Sequence, residues 1–180
     1  MTTPSENIII RKAVHADLDA VENIYNELHQ AEEDDQISVG WKRDIYPIRS
    51  TAEEALKRDD LFVLEYNGIV SGAGMINKIQ VDVYHEAPWE YSVKDDQICV
   101  LHTLVISPKV SGKGLGTSFV RFYEEYAKEH GCSELRLDTN ERNKTARAMY
   151  AKLGYKEISI VPTTFNGIPG VNLVLLEKAI

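Results

Sequence analysis

ICVLHTLVISPKVSGKGLGTSF, residues 98–119, passes from an almost continuous apolar segment straight into a glycine-rich loop. The apolar part, with Gln97 and Ser107 at its ends, predicts a central strand over 97–107, buried on both faces. Gly112, Gly114 and Gly116 then stand at alternate positions. Glycine loses more conformational freedom on folding than any other residue, so such a cluster needs a reason. Beyond it, Leu115, Phe119, Phe122 and Tyr126 recur at helical spacing, and Gly131 is placed to stop that helix. Strand, glycine turn and helix N-terminus together make an anion site. The first helical turn presents unpaired N–H groups and the positive end of the dipole. With no Cβ at the glycines an anion can come close, and Lys113 and Lys109 add positive charge. A pyrophosphate is the natural guest, and an ordinary surface turn is the alternative.

Two familiar nucleotide loops are excluded by spacing. A Walker loop needs G-x-x-x-x-G-K-[ST], which no glycine pair here meets. The dinucleotide fingerprint G-x-G-x-x-G starts at Gly114 and Gly116 but finds Phe119 at its third glycine. A kinase or ATPase is therefore disfavoured.

Working outward, residues 8–14 (IIIRKAV) read as a first strand and 16–30 as an amphipathic helix carrying Leu18, Val21, Tyr25 and Leu28. Ser50 and Glu53 have capping-box spacing and open a short helix, STAEEALKRD. LFVLEY and IVSGAGMI flank Asn67-Gly68, a strong hairpin signal. Residues 77–96 are polar and interrupted, and are expected to extend the hairpin strand or form a loop. ELRLDTN (134–140) is a strand, and Asn143 caps a helix that carries Ala146, Met149, Tyr150 and Leu153 and ends at Gly154. YKEISIV and GVNLVLLEK close the chain as two strands joined by the loop PTTFNGIPG. The expected fold class is α/β (mixed α+β): one twisted, mostly antiparallel sheet of about seven strands with helices on both faces. No repeat or linker divides it, so residues 1–180 are expected to form a single domain.

Composition narrows the function classes. With 28 acidic against 20 basic residues the net charge is −8, which argues against nucleic-acid binding through phosphate neutralisation. Cys99 and Cys132 form no disulfide framework, and no Cys/His spacing suggests a metal; both are expected as small core residues. MTTPSEN is too polar for a signal peptide, and no apolar run approaches the roughly 18 residues of a membrane span. A cytoplasmic protein with no membrane partner is expected.

The pairing of V-x-x-x-x-x-S-G-K-G-L-G, from Val105, with N-x-x-A-x-x-x-Y-x-K-L-G-Y, from Asn143 to Tyr155, resembles the GNAT superfamily of N-acetyltransferases. The element order is similar along nearly the whole chain, and the specific motifs occupy roughly residues 98–155. One position departs: Ser111 stands where the family commonly has Gln or Arg, a mild change where that position works through its backbone N–H. The resemblance implies acetyl-CoA as co-substrate and no metal. Its pyrophosphate would lie on Ser111, Gly112, Lys113, Gly114, Leu115, Gly116 and Thr117, near Lys109. Its pantetheine arm would lie beside Leu104, Val105 and Ile106, where strands 98–106 and 134–140 splay, with Asn140, Asn143 and Ala146 on the other side. Backbone groups around Leu104 and Val105 would polarise the thioester carbonyl.

By position in the second motif, Tyr150 is implied as the general acid that protonates the departing thiolate; packing into the core is its other reading. His102 is a candidate general base, since an imidazole titrates near neutrality. A hydrogen-bonded core histidine, or a water relay helped by residues 32–35 or Asp82, is equally compatible. The segments HQAEEDDQISVGWKRDIYP and QVDVYHEAPWEY are implied to line the acceptor site. Trp41, Tyr46, Tyr84 and Trp89 are the candidate walls for a small primary amine, while the acidic run reads as a solvated loop. A non-catalytic acyl-CoA-binding module is the alternative, and a homodimer is compatible.

Overall fold

In the computed structural model, which describes residues 6–180, seven strands form one sheet. They are β1 (Ile8–Lys12), β2 (Leu61–Tyr66), β3 (Ile69–Asn77), β4 (Ile98–Ile106), β5 (Glu134–Asn140), β6 (Lys156–Phe165) and β7 (Ile168–Ala179). The helices are α1 (Leu18–Glu33), α2 (Arg49–Lys57), α3 (Leu115–Glu129) and α4 (Lys144–Lys152). The strand order is β1-β2-β3-β4-β5-β7-β6, and only β4–β5 pair in parallel. The N-terminal MTTPS, part of the stretch whose polarity set it apart from a signal peptide, lies outside the described residues. Among the described residues no helix is long and apolar enough to cross a membrane.

Alternation along the strands sorts side chains to two faces. Phe62 and Leu64 of β2 meet Leu115, Phe119 and Tyr123 of α3, together with Leu135 and Leu137 of β5. Their neighbours Leu61 and Val63 meet Val21, Ile24 and Tyr25 of α1 on the opposite face. Further along that second face, Tyr84 packs over Ile98, Val100, Leu173 and Leu175. Cys99 and Cys132 are both buried in the core under α3, as their composition suggested.

Parity breaks inside β4, at the edge of the parallel pairing. Leu101 belongs to the α3 face, yet Val105, four residues on, belongs to the α1 face. The cause is a bulge: Met75 pairs with His102 and Ala73 with Val105, so Thr103 and Leu104 together oppose Gly74. Thr103 takes φ +49°, a left-handed conformation that is costly for a β-branched residue. Nothing in the period of the apolar run announces this bulge.

Several boundaries differ from the sequence expectations for identifiable reasons. The helix α1 runs on through Glu32 and Glu33, whose side chains are engaged rather than merely solvated. The Ser50/Glu53 capping box is not used: Ile48 is the N-cap, its N–H donates to Thr51 Oγ1 at 3.1 Å, and Glu53 accepts from Arg49. Residues 77–96 add no strand beyond Asn77 and hold two short 3-10 turns. PTTFNGIPG is not a long loop; β6 and β7 continue through it to a tight turn at Asn166 (φ +50°) and Gly167 (φ +76°). Pro162 is tolerated within β6 because β6 is an edge strand.

The bulge depends on the strand beside it. A Cβ built on Gly74 would lie 2.8 Å from the Phe119 ring, closer than any ordinary contact. Gly74→Ala is expected to lower stability by about 1–3 kcal/mol through overpacking. Urea unfolding should show a reduced midpoint with an unchanged slope; an unchanged midpoint would mean that the ring moves aside freely.

Candidate active site

The parallel pairing of β4 with β5 runs from Ile98–Glu134 to Leu101–Leu137 and ends there. β4 continues to Ile106 on β3, and β5 continues to Asn140 on β7, so both strands stay paired on their outer sides only. Between them a gap opens. Thr103–Ile106 form one edge and Asp138–Asn140 the other.

The glycine loop lies at the end of the β4 edge. Its three glycines serve two purposes. Gly112 (φ +78°) and Gly114 (φ +72°) hold left-handed turns with open space where a Cβ would be, whereas a Cβ on Gly116 would sit 3.1 Å from Met149 Sδ. The first pair shapes the loop, and the third lets α3 approach α4. Gly114 is the N-cap of α3, and the first-turn N–H groups have no intrahelical partner. Ser111 differs from the other loop residues: its N–H is already donated to the Pro108 carbonyl at 3.3 Å. The N–H groups left free for a ligand are therefore those from Gly112 onward. Lys113 is close to Glu6 (3.5 Å) and Lys109 is bound by Glu27 (2.5 Å), so both expected cations already have carboxylate neighbours. The loop is open, glycine-shaped and rich in free donors, and a pyrophosphate fits it.

Leu104 and Ile106 are half-buried against the α3 side, and Val105 is buried on the α1 side. Asn143 caps α4, its Oδ1 accepting from the Ala146 N–H at 3.2 Å. Ala146 is half-buried beside the core of that face. Asn140 points the other way. Its side chain lies against Gly40, and with Trp41 and Ile168 it lines a cavity of about 380 Å³ on the α1 face.

Tyr150 is buried on the α4 side, edge-on to Tyr155 at 5.6 Å. Burial, then the charge of Asp138, push its phenol well above the ordinary value, and no hydrogen bond to its hydroxyl contributes. It is a protonated hydroxyl without a partner among the described residues.

The opposite face carries the polar aromatics. The Tyr46 hydroxyl hydrogen-bonds Thr103 Oγ1 at the bulge, and burial pushes the phenol up to about 12. Tyr84 is fully buried and donates to Asp138 Oδ2 at 2.7 Å. Trp41 meets Tyr46 edge-on at 6.2 Å. Trp89 stands one layer behind, edge-on to Tyr84 and under the Arg136 guanidinium at 4.1 Å, so it supports the wall instead of forming it. His102 faces a second cavity, of about 410 Å³, with Tyr46, Met75 and Asn77. Its Nε2–H donates to Asn77 Oδ1 at 2.9 Å; the amide orientation follows from Asn77 Nδ2 donating to Asp60. Burial pulls the imidazole down to about 4, against the opposing charge of Asp60. So weak a base removes a proton from an ammonium poorly.

Of the acidic helpers only Glu32 lines the Asn140 cavity, and its carboxylate is already engaged. Glu32 accepts from the N–H groups of Val39 and Gly40 and pairs with Arg142, and Glu33 pairs with Arg43. Asp34, Asp35 and Asp82 are exposed. The residue missed by sequence reading is Asp138, which burial raises to about 6 against the Tyr84 hydrogen bond. Its sequence signal was weak, because ELRLDTN alternates polar and apolar residues and Asp138 reads as one more polar position. Among the described residues no group of three His, Cys, Asp or Glu side chains is placed to hold a metal.

A model of the acetyltransferase (GNAT) family matches residues 18–155. The chain is 25% identical over 158 residues to thialysine N-epsilon-acetyltransferase of Bos taurus, covering 84% of this chain and 86% of that protein. It is 29% identical over 108 residues to an uncharacterised N-acetyltransferase of Methanocaldococcus jannaschii, covering 59% of this chain and 44% of that one, under half its length. Among solved structures, a GNAT-family acetyltransferase of Streptococcus agalactiae superposes with TM-score 0.78 at 24% identity, over 96% of this chain and 95% of that one. The yncA protein of Salmonella typhimurium, solved with its cofactor acetyl-CoA, gives TM-score 0.70 at 17% identity, over 96% and 94%. At these identities the structural likeness speaks for the fold.

The state of His102 has a thermodynamic signature. Between pH 6.5, the ordinary value, and about 4, the unfolded chain takes up a proton that the folded imidazole refuses. The stabilisation is therefore complete above that window and is lost as pH falls through it. Going from pH 7 to pH 5, wild-type protein should lose about 2 kcal/mol more stability than His102→Gln, measured by urea unfolding. Equal losses would show that His102 is not desolvated.

Proposed function

The chain belongs to the acetyltransferase (GNAT) family, and from that premise we propose that it moves an acetyl group from acetyl-CoA to a primary amine on a small organic acceptor, by direct attack. The observation that carries this function is the gap past Leu101–Leu137, with an unpartnered phenol on one face and a carboxylate on the other.

In this mechanism the free N–H groups of Gly112 to Thr117 hold the pyrophosphate, helped by the dipole of α3 and the charge of Lys113. The backbone of Leu104, Val105 and Ile106 lines the arm, with Asn143 and Ala146 opposite. The bulge supports a role for backbone N–H in polarising the thioester carbonyl, because it frees groups that a regular ladder would consume. Tyr150 keeps its proton at every working pH and gives it to the thiolate as the C–S bond breaks. Its burial supports this role, since the phenol is held neutral until the thiolate forms. Trp41, Tyr46 and Tyr84 supply the acceptor wall, with Trp89 behind them. The bovine relative is named for transfer to thialysine, and that name supports an amine acceptor here.

A thiol-release screen with acetyl-CoA against amino acids, polyamines and other amines tests the activity. Binding of acetyl-CoA without thiol release to any amine would make the protein a non-catalytic acyl-CoA-binding module. With an accepted amine in hand, Tyr150→Phe should lower kcat by about 10²–10⁴-fold while acetyl-CoA affinity stays near wild type. Unchanged kcat would overturn the general-acid role.

A further inference from the structure

Asp138 is the first residue of β5 beyond the last β4–β5 pair, so it sits at the closed end of the gap. Along β5, Leu135 and Leu137 face α3, which turns Asp138 to the opposite face, toward Tyr84. Tyr150 approaches from the α4 side. A carbonyl lodged in the gap would have Tyr150 on one side and Asp138 on the other. We propose that Asp138 is the catalytic residue that takes the proton from the acceptor's ammonium group, with the Tyr84 hydroxyl as its positioning residue. This rests on the N-acetyltransferase function proposed above.

Three further observations support the assignment. Tyr84 engages Oδ2 at 2.7 Å, and Oδ1 has no hydrogen-bond partner among the described residues. No lysine, arginine or histidine among the described residues forms a salt bridge with Asp138, so its charge lacks a counter-ion that an ammonium would supply. The only arginine on its strand face, Arg136, is bound by Glu134 at 2.6 Å and stacked on Trp89. Burial lifts the carboxyl to about 6, so it is ionised at neutral pH yet holds a proton better than an ordinary aspartate. The other titratable groups facing it are phenols kept protonated, namely Tyr46, Tyr84 and Tyr150. His102, across on β4, is neutral.

The step balances as follows. The ammonium gives one proton to Asp138 and becomes a neutral amine. Its lone pair forms the C–N bond at the acetyl carbonyl carbon. The C–S bond breaks with its electron pair on sulfur, and Tyr150 protonates the thiolate. The nitrogen's remaining excess proton returns to the Tyr150 phenolate through solvent, and the proton on Asp138 leaves to bulk water. One ammonium and one thioester give one amide, one thiol and one proton. The acceptor class is a primary amine protonated in solution, met by a carboxylate framed by phenol rings that themselves favour a cation.

The test is the pH profile of kcat/KM between pH 5 and 9 with the best amine from the screen, alongside calorimetric acetyl-CoA affinity. Wild type should show an acid limb near pH 6. In Asp138→Asn the limb should vanish and kcat fall by about 10²–10⁴-fold, with acetyl-CoA affinity retained. In Tyr84→Phe, loss of the bond that favours the carboxylate should move the limb to higher pH. A limb near 6 with near-wild-type kcat in Asp138→Asn overturns the proposal while leaving acetyl transfer intact. Loss of acetyl-CoA binding in Asp138→Asn also overturns it, because only a structural role predicts that loss. An unmoved limb in Tyr84→Phe overturns the positioning role. Wild-type protein that binds acetyl-CoA but acetylates no amine overturns both the activity and this proposal.

Discussion

The structure turns on one seam that closes for four residue pairs and then stops. Buried backbone N–H and C=O groups must be paired, so two adjacent central strands cannot part without a reason. Here each strand keeps its outer partner, β4 with β3 and β5 with β7, so that the loss is confined to the inner edges. Those edges offer free backbone groups in an otherwise dry interior, which is what a peptide-like chain needs from a binding slot. The bulge at Thr103–Leu104 sharpens the parting, because an extra residue adds local twist and turns β4 away. Tyr46 then ties the bulge to the segment before α2 through Thr103.

That seam also separates charge states. On a chain of net charge −8, the overall field gives an anionic ligand nothing, so the local feature that suits one is the set of free helix N–H groups at the loop. Inside the gap, burial acts in one direction on every acid. It holds Tyr46, Tyr84 and Tyr150 protonated and brings Asp138 up toward neutrality, while it strips His102 of its proton. One physical effect, desolvation of the charged form, thus makes donors of the phenols and leaves one carboxylate able to exchange a proton near pH 6.

Much of this was legible in the sequence, and the parts that were not share a cause. Asn67-Gly68 announced its hairpin, and Asn143 announced its cap, because local chemistry alone dictates both. Asn166-Gly167 carried the same hairpin signal, but Pro162 and Pro169 obscured it, and their tolerance depends on sheet position. The bulge was hidden because Thr103 is β-branched and a poor candidate for positive φ; tertiary pairing imposes it. Trp89 looked like an acceptor wall from its segment, yet its partner Arg136 is distant in sequence and decides its place. Asp138 was unremarkable within ELRLDTN until the seam's end point was known, since the same aspartate two pairs earlier would merely be buried. Local rules reach caps and turns; they do not reach the places where strands part.

The acceptor side of the gap is built from a segment without regular structure, and this explains the buried charges behind it. Tyr84 is useful only if held to a fraction of an ångström, and no ladder holds it. Instead the segment is pinned on both sides of Tyr84: Arg136 Nη1 donates to Gln80 Oε1 at 2.6 Å, Trp89 lies against the Arg136 guanidinium, and the Glu90 N–H donates to Glu177 Oε1 at 2.8 Å. Glu134 and Glu177 are both fully buried, Glu134 bound by this guanidinium at 2.6 Å and Glu177 held by the Glu90 N–H. Each has an Oε2 without a partner, and burial holds the Glu134 carboxyl above its ordinary value. Replacing such a cluster with apolar groups is often neutral or stabilising, so stability alone does not account for it. It lies at the closed end of the seam, where β5 and β7 are fully paired and rigid. Fixing residues 80 and 90 there transfers the sheet's rigidity to Tyr84, and through the 2.7 Å hydrogen bond to the carboxylate in the gap.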